Sequence, residues 1–440
     1  MSARWIESLV SSPAMAGIFC DRSILEALLA FEVALARVEA HHGLIPPAAV
    51  EAIARAARAG SFDTENLAAQ TLRAGTPAIP LVKELTDLVR REDPASAGFV
   101  HWGATSQDVA DTAMVLLLRR CRGALAADHQ RLTAALRRLS HEHAETVMLG
   151  RTLLQPAPPV TFGLKAAGWL GAQSRGWRRI ERAFDEALIL QFGGASGTLA
   201  ALGDRGMAVA VSLAEELGLA LPDAPWHAHR DRLAALLAAC AIYTGSLGKM
   251  ARDIALLMQQ EVGEASEPGG EGRGGSSTMP HKRNPIACTL ALAAAQRVPG
   301  LLAAFLAGLP QEHERGAGGW QAEWSAIAGV LQSAGLALES MRETAEGLRI
   351  DLVRMRANLA ATRGAVFAEK VSLLLAGRMG LDRARLAVQA ASERAAAEGI
   401  HLREALEDLL SSVELDALDR PEDYLGCAEE FRRRLLEQEE

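Results

Sequence analysis

Aromatic residues are scarce: Phe, Trp and Tyr together make up 4% of the 440 residues, while an apolar share of 49% is carried largely by Ala and Leu. Ala and Leu favour helices and aromatics favour strands, so the composition argues against an all-β fold. Cysteine is also sparse. Cys20, Cys121, Cys240, Cys288 and Cys427 are odd in number, scattered and never spaced C-x-x-C. That pattern excludes a disulfide framework and a zinc ribbon, and it fits a reducing cytoplasm. Positive charge is not in excess, with 46 Lys and Arg against 54 Asp and Glu for a net charge of −8, so bulk charge predicts no nucleic-acid partner. Long hydrophobic runs are missing too. The longest charge-free apolar stretch, Leu233 to Gly248, falls short of the roughly 20 residues of a membrane span. Met1 to Val10 lacks the apolar core of a signal peptide. The expectation is a soluble cytoplasmic protein with no membrane partner, long enough at roughly 150 residues per domain for two or three domains.

What the chain has in quantity is helical periodicity. Ser23-Ile24-Leu25-Glu26 has capping-box spacing, and Leu28, Phe31, Leu35 and Val38 recur at three- and four-residue steps until Gly43 and Pro46-Pro47 break the run. Asp128 to Leu149 carries Leu132, Leu136 and Leu139 on one stripe, and Arg230 to Glu261 runs without a proline. Ile286 to Val298 and Trp324 to Leu348 extend the pattern, and Ala365 to Leu410 reads as several shorter helices. No stretch shows convincing strand alternation. Three segments rich in Gly, Pro, Ser or Thr interrupt the helices: Gly98 to Thr112, Gly150 to Gly163, and Gly263 to Pro285. Loops set on rigid helices are where site residues concentrate. Composition shifts suggest an N-terminal helical domain over 1–104, a central helical bundle over 105–349 and a C-terminal helical domain over 350–440.

The third loop is the most informative. A glycine run from Gly269 to Gly275 leads into Ser276-Ser277-Thr278-Met279-Pro280-His281-Lys282-Arg283-Asn284-Pro285. The glycines supply positive φ, and Pro285 opens the next helix, whose N-terminal amides suit an anion. No G-K-[ST] follows the glycines, which excludes a Walker phosphate loop. His141-Glu142-His143 lacks the H-E-x-x-H spacing of a zinc site, and no metal is expected.

Gly275 to Pro285 resembles the G-S-S-x-x-P-x-K-x-N-P segment of the fumarase/aspartase superfamily. His101 to Asp108 is similar to that superfamily's H-x-G-x-T-S-x-D segment, and Gly150 to Gln155 to its G-R-T-H-x-Q segment, in the same order along the chain. The resemblance implies an all-α, three-domain protomer whose long central helices bundle into a homotetramer, with each active site shared between subunits. It implies Ser276 as the proton-transfer residue and Lys282 as its catalytic companion. His101, Thr105, Ser106, Thr152, Gln155, Asn284 and Arg315 would bind a small polycarboxylate, with no cofactor. The chemistry is coherent. Removing a proton beside a carboxylate builds an aci-carboxylate dianion, which a fixed ammonium and amide donors stabilise in a closed site. A serine becomes an adequate base only where amides and positive charge hold its oxyanion.

One position departs from the pattern. The histidine of the second segment is replaced by Leu153. That histidine helps a departing amine or hydroxyl exchange its proton, whereas a carboxylate leaves without help. Leu153 therefore favours closure of a lactone on a tricarboxylate, 3-carboxy-cis,cis-muconate, over elimination. Ala78 to Lys83, Gln311 to Arg315 and Gly318 to Trp324 likewise resemble the bacterial 3-carboxymuconate cycloisomerases. An adenylosuccinate-lyase-like β-eliminase releasing fumarate is the alternative. It would carry E-R-D-x-S where Glu314-Arg315 is followed by Gly316-Ala317. A catalytically silent structural oligomer is a third reading, against which the intact Ser276, Lys282 and Asn284 count. Arg151, Asp108 and Asp111 read as caps or bridges between helices, and Trp226-His227 and Trp320 to Trp324 as packing.

Overall fold

The computed structural model describes residues 5, 7–270, 274–275, 279, 282–416, 418 and 420–437. It is mostly helical, with five long helices at Ser106–Glu142, Phe162–Ala187, Asp231–Leu257, Ile286–Ala307 and Gly319–Gly347. The residues fall into two compact units. One comprises Met1–His129, Gly176–Gly248 and Leu290–Ser340, the other Gln130–Arg175, Lys249–Thr289 and Met341–Glu440. Each long helix contributes residues to both.

In the first unit the helix Asp21–His41 buries Leu25, Leu28, Phe31, Leu35 and Val38, the stripe expected from their spacing. Its start differs from the expectation. Cys20 occupies the N-cap without a side-chain bond, and Ser23 lies inside the first turn, where its Oγ accepts from Arg120 Nη1 at 2.6 Å. The helix Ser106–Glu142 begins inside the first expected loop, far ahead of Asp128. From Val109 to Leu118 its residues are buried without interruption. A helix covered on all sides shows no amphipathic stripe, so its periodicity was invisible in the sequence.

In the second unit the strand Val147–Thr152 pairs antiparallel with Gln155–Thr161, from Val147 opposite Thr161 to Thr152 opposite Gln155, with an irregularity between Met148 and Gly150. This corrects the expectation of no strands and of a helix continuing to Leu149. Pro156, Pro158 and Pro159 disguise the second strand, since proline is depleted from sheet interiors. The turn is made by Leu153 and Leu154 at φ +50° and +65°, where Asn-Gly would be usual. Gly150 is required for closeness: a Cβ there would lie 2.3 Å from the Pro158 carbonyl oxygen. Behind the hairpin, Val147 and Leu149 join Val371, Leu375, Val388, Leu402 and Leu406 in a C-terminal core. The helix Phe162–Ala187 was also unexpected, because Gly163, Gly168, Gly171 and Gly176 interrupt its pattern.

Two helices, Asp231–Leu257 and Ile286–Ala307, are long and apolar enough by length and composition to cross a membrane, although no charge-free run is. The most apolar window of the first is 61% buried and that of the second 22%. The five cysteines are free.

The helix Asp21–His41 also buries two carboxyl groups, Glu32 and Glu39. Glu39 is fully buried with neither carboxyl oxygen hydrogen-bonded, and burial together with the charge of Glu32 pushes its pKa up from 4.5 to about 9. A raised carboxyl pKa means that this group's contribution is intact below pH 4.5 and is lost progressively as pH rises toward about 9. Glu39→Gln should therefore be more stable than the wild type above that range's lower end, with the gap widening by up to about 1.4 kcal/mol per pH unit. Urea midpoints at pH 5 and pH 8 check this, and an equal gap at both would contradict it.

Candidate active site

The segment from His101 to Ser106 enters the first unit between two tight backbone positions. His101 has φ +59° and Gly103 φ +70°, and a Cβ on Gly103 would meet Leu202 Cδ2 at 2.5 Å. His101 Nδ1 lies 2.8 Å from Glu32 Oε1, with the imidazole 17% exposed. Burial opposes charge on the ring, but Glu32 and Asp108 outweigh it and raise the pKa above its ordinary value. Thr105 and Ser106 are half-buried at the start of the long helix. Thr105 Oγ1 accepts from Arg315 Nη1 at 2.6 Å, and Arg315 Nη2 donates to the Gly194 carbonyl at 2.7 Å. The structure thus brings Arg315 onto the loop that carries His101, Thr105 and Ser106.

That loop is fastened by two buried aspartates. Asp108 accepts from the amides of Thr105, Gly193 and Gly194 at 2.9–3.0 Å and pairs with His227 Nε2 at 2.7 Å. Asp111 accepts from both terminal nitrogens of Arg230 at 2.7 and 2.9 Å and from Trp320 Nε1 at 2.9 Å. Arg230 also donates to Glu323, which in turn accepts from Gln311 Nε2 at 2.8 Å, four residues ahead of Arg315. Asp108 and Asp111 are therefore caps and bridges. Trp320 and His227 pack, and each also donates a hydrogen bond or carries an ion-pair contact into this framework. Glu32 and Arg230 belong to no motif, and Glu323 falls in the Gly318 to Trp324 segment without being singled out by it. The one sequence signal for Glu32 is an ionisable residue among apolar neighbours, whereas Arg230, between His229 and Asp231, carries none.

The second unit holds Thr152, Gln155, Lys282 and Asn284. Thr152 and Gln155 face each other across the end of the hairpin, both exposed, and between them Leu153 is 96% exposed. Arg151 does not belong to a binding surface. Its guanidinium makes two bonds of 2.9 and 2.7 Å to Glu264, which is fully buried and also accepts from Asn358 Nδ2 at 2.7 Å. Further along, the Asn284 amide donates to the Gly274 carbonyl at 2.8 Å, and Lys282 is exposed. Ser276 and His281 lie outside the described residues.

The helix end behind this loop is not open to an anion, contrary to the expectation from Pro285. Glu267 accepts from the amides of Ala287 and Cys288 at 3.1 and 2.8 Å, so the protein's own carboxylate already occupies the first turn of Ile286–Ala307. A carboxylate is what the positive end of a helix favours. Among the described residues no three His, Cys, Asp or Glu side chains group as a metal ion would need. A cavity of about 440 Å³ in the first unit is lined by Leu25, Leu28, Thr76, Leu81, Trp320 and Trp324, and by none of the expected site residues.

Comparison with known proteins follows the same lines. The model of the Lyase family matches residues 7–300. A 3-carboxy-cis,cis-muconate cycloisomerase of Bradyrhizobium diazoefficiens is 49% identical over 435 residues, which cover 98% of this chain and 96% of the relative. The crystal structure of the 3-carboxy-cis,cis-muconate lactonizing enzyme from Pseudomonas putida superposes with a TM-score of 0.93 at 46% identity, over 99% of both chains. A fumarate lyase from Mesorhizobium sp. BNC1 superposes with a TM-score of 0.88 at 36% identity, over 97% of this chain and 98% of that one.

The buried Asp111–Arg230–Glu323 group sets a stability test. Arg230→Met leaves two carboxylates buried without their cation and should cost about 3–5 kcal/mol, read from urea unfolding at pH 7. A loss under about 1 kcal/mol would show that water or another group replaces the guanidinium.

Proposed function

The chain belongs to the Lyase family of fumarase/aspartase enzymes, and we propose that within it this protein reversibly closes 3-carboxy-cis,cis-muconate to 4-carboxymuconolactone. The observation that carries this reading is Leu153. The position between Thr152 and Gln155, where the superfamily's eliminating members place a histidine, holds an exposed hydrocarbon side chain that can neither give nor take a proton. An amine or hydroxyl cannot leave efficiently from such a site, whereas a carboxylate can.

In the lactonising direction an oxygen of one substrate carboxylate adds to the neighbouring double bond. The electron pair of that bond is delocalised into another carboxylate as an aci-carboxylate, and Ser276 then delivers its proton to the carbon beside it. In reverse, Ser276 removes that proton and the ring C–O bond breaks with the carboxylate as leaving group. Lys282 supplies the positive charge beside the developing dianion. Asn284, His101, Thr105, Ser106, Thr152, Gln155 and Arg315 hold the trianion. Such a step belongs to aromatic ring breakdown, in the protocatechuate branch of the β-ketoadipate pathway.

The protomer organisation proposed with this activity is three domains, over 1–104, 105–349 and 350–440, and a homotetramer whose active sites draw on different copies of the chain. Two features support the assembly. The hairpin tip exposes Leu153 and Leu154, and the apolar helix Ile286–Ala307 leaves most of its most hydrophobic window uncovered in the single chain. Exposed apolar side chains and an uncovered apolar helix are what contact with another copy would bury.

An ultraviolet assay following loss of the conjugated diene of 3-carboxy-cis,cis-muconate, with adenylosuccinate in parallel, tests the activity. Turnover of the first without cleavage of the second is expected, and the opposite pair of results would overturn the role given to Leu153. Ser276→Ala, folded as judged by circular dichroism, should lose about 10²–10⁴ in kcat. Lys282→Met should lose about 10²–10³. A Ser276→Ala variant with near wild-type turnover would remove the serine from the mechanism.

A further inference from the structure

His101 and Glu32 form a pair that none of the three site motifs contains. Glu32 projects from the Asp21–His41 helix with its side chain 1% exposed, and its Oε1 meets His101 Nδ1 at 2.8 Å while Oε2 has no partner among the described residues. Among those residues His101 is therefore the only hydrogen-bonding partner of that carboxylate. A buried carboxylate facing a neutral ring would be an uncompensated charge, and facing an imidazolium it is one half of an ion pair. Nε2 of His101 carries no bond among the described residues, so the ring has one nitrogen fixed inward and one available.

The surrounding groups keep the charge where it is. Two further ionisable side chains bear on this pair: Asp108 of the Ser106–Glu142 helix, which acts on His101, and Glu39 of the Asp21–His41 helix, which is coupled to Glu32. Asp108 is committed to three amides and His227, which leaves Glu32 as the direct partner. Glu39 lies close enough to feel the charge of Glu32, and burial keeps Glu39 protonated at neutral pH, so it adds no second negative charge beside the pair. Arg315 approaches the same loop, and each of its terminal nitrogens already donates within the protein, to Thr105 Oγ1 and to the Gly194 carbonyl. These bonds to neutral acceptors take up donors and orient the guanidinium while leaving its positive charge intact.

We propose that Glu32 is a positioning residue for substrate recognition: it holds His101 as an imidazolium with Nδ1–H turned inward and Nε2–H offered to a substrate carboxylate. This rests on the lactonising reading for the identity of the substrate, but not for the state of the ring. The left-handed backbone at His101 fits such a role, since strain of this kind persists where the surrounding structure enforces a functional orientation.

The test uses the full-length enzyme labelled at the histidine Cε1 carbons, with the His101 resonance assigned through His101→Asn. The ring midpoint by NMR and the pH profile of kcat/KM for 3-carboxy-cis,cis-muconate are measured for the wild type, Glu32→Gln and Glu32→Asp. His101 is charged below its raised midpoint and neutral above it. Glu32→Gln should lower that midpoint by about one pH unit or more. The alkaline limb of kcat/KM should move down with it, giving about a tenfold loss at pH 8, mostly in KM, and little loss at pH 5.5. Glu32→Asp should restore both readouts in part. An unmoved midpoint overturns the ion pair, and a moved midpoint with an unmoved rate profile overturns the role in recognition. Should Glu32→Gln not fold, the wild-type midpoint decides, because a ring neutral at pH 7 overturns the proposal. The midpoint is read without substrate, so failure of the lactonising reading, seen as no turnover by the wild type, is distinguishable from failure of this inference.

Discussion

The carboxylate of Asp108 gathers three segments of chain at one point: the start of its own helix through Thr105, the Gly193–Gly194 turn through two amides, and His227. Without a buried acceptor there, the backbone amides of two loops would be desolvated and unpaired, at about 1–3 kcal/mol each. The orientation of His101 and the bond between Arg315 and Thr105 both depend on this anchorage. Asp111 repeats the device one turn along the same helix, tying Arg230 and Trp320 and, through Glu323, the base of the loop that bears Arg315. The candidate site thus rests on charged groups buried beneath it. Residues of the H-x-G-x-T-S-x-D segment divide accordingly, with His101, Thr105 and Ser106 at the surface of the site and Asp108 beneath it.

How much of this was legible in the sequence depended on the kind of force at work. Amphipathic helices announced themselves, as Leu28, Phe31, Leu35 and Val38 did, because one-sided burial writes a period into the chain. The first part of Ser106–Glu142 did not, because burial on every side erases the period. The hairpin escaped because its turn uses two leucines in left-handed conformation and its second strand carries three prolines, both contrary to local preference. Such contradictions between local preference and structure gather at functional positions, and this one falls between Thr152 and Gln155.

The candidate site was legible where a motif spans consecutive residues, and illegible where the partner is distant in sequence. Glu32 pairs with His101 across 69 positions, and Arg230 with Asp111 across 119. No spacing rule reaches that far. Sequence also exaggerated one feature, the open helix end after Pro285. The residue that closes it, Glu267, stands in the Gly263 to Pro285 segment but ahead of the glycine run and the recognisable motif, and reads as an ordinary acidic residue.

Glu267 has a topological consequence. It precedes the glycine run and grips the first turn of the helix that follows Pro285, so both feet of the loop are joined through one carboxylate. A loop with joined feet is, in polymer terms, a ring. The entropy of closing a ring grows only with the logarithm of its length, so one residue more or less between joined feet changes that closure entropy by a small fraction of a kcal/mol. Closure of this loop therefore depends more on the two Glu267 bonds at its feet than on the number of residues between them.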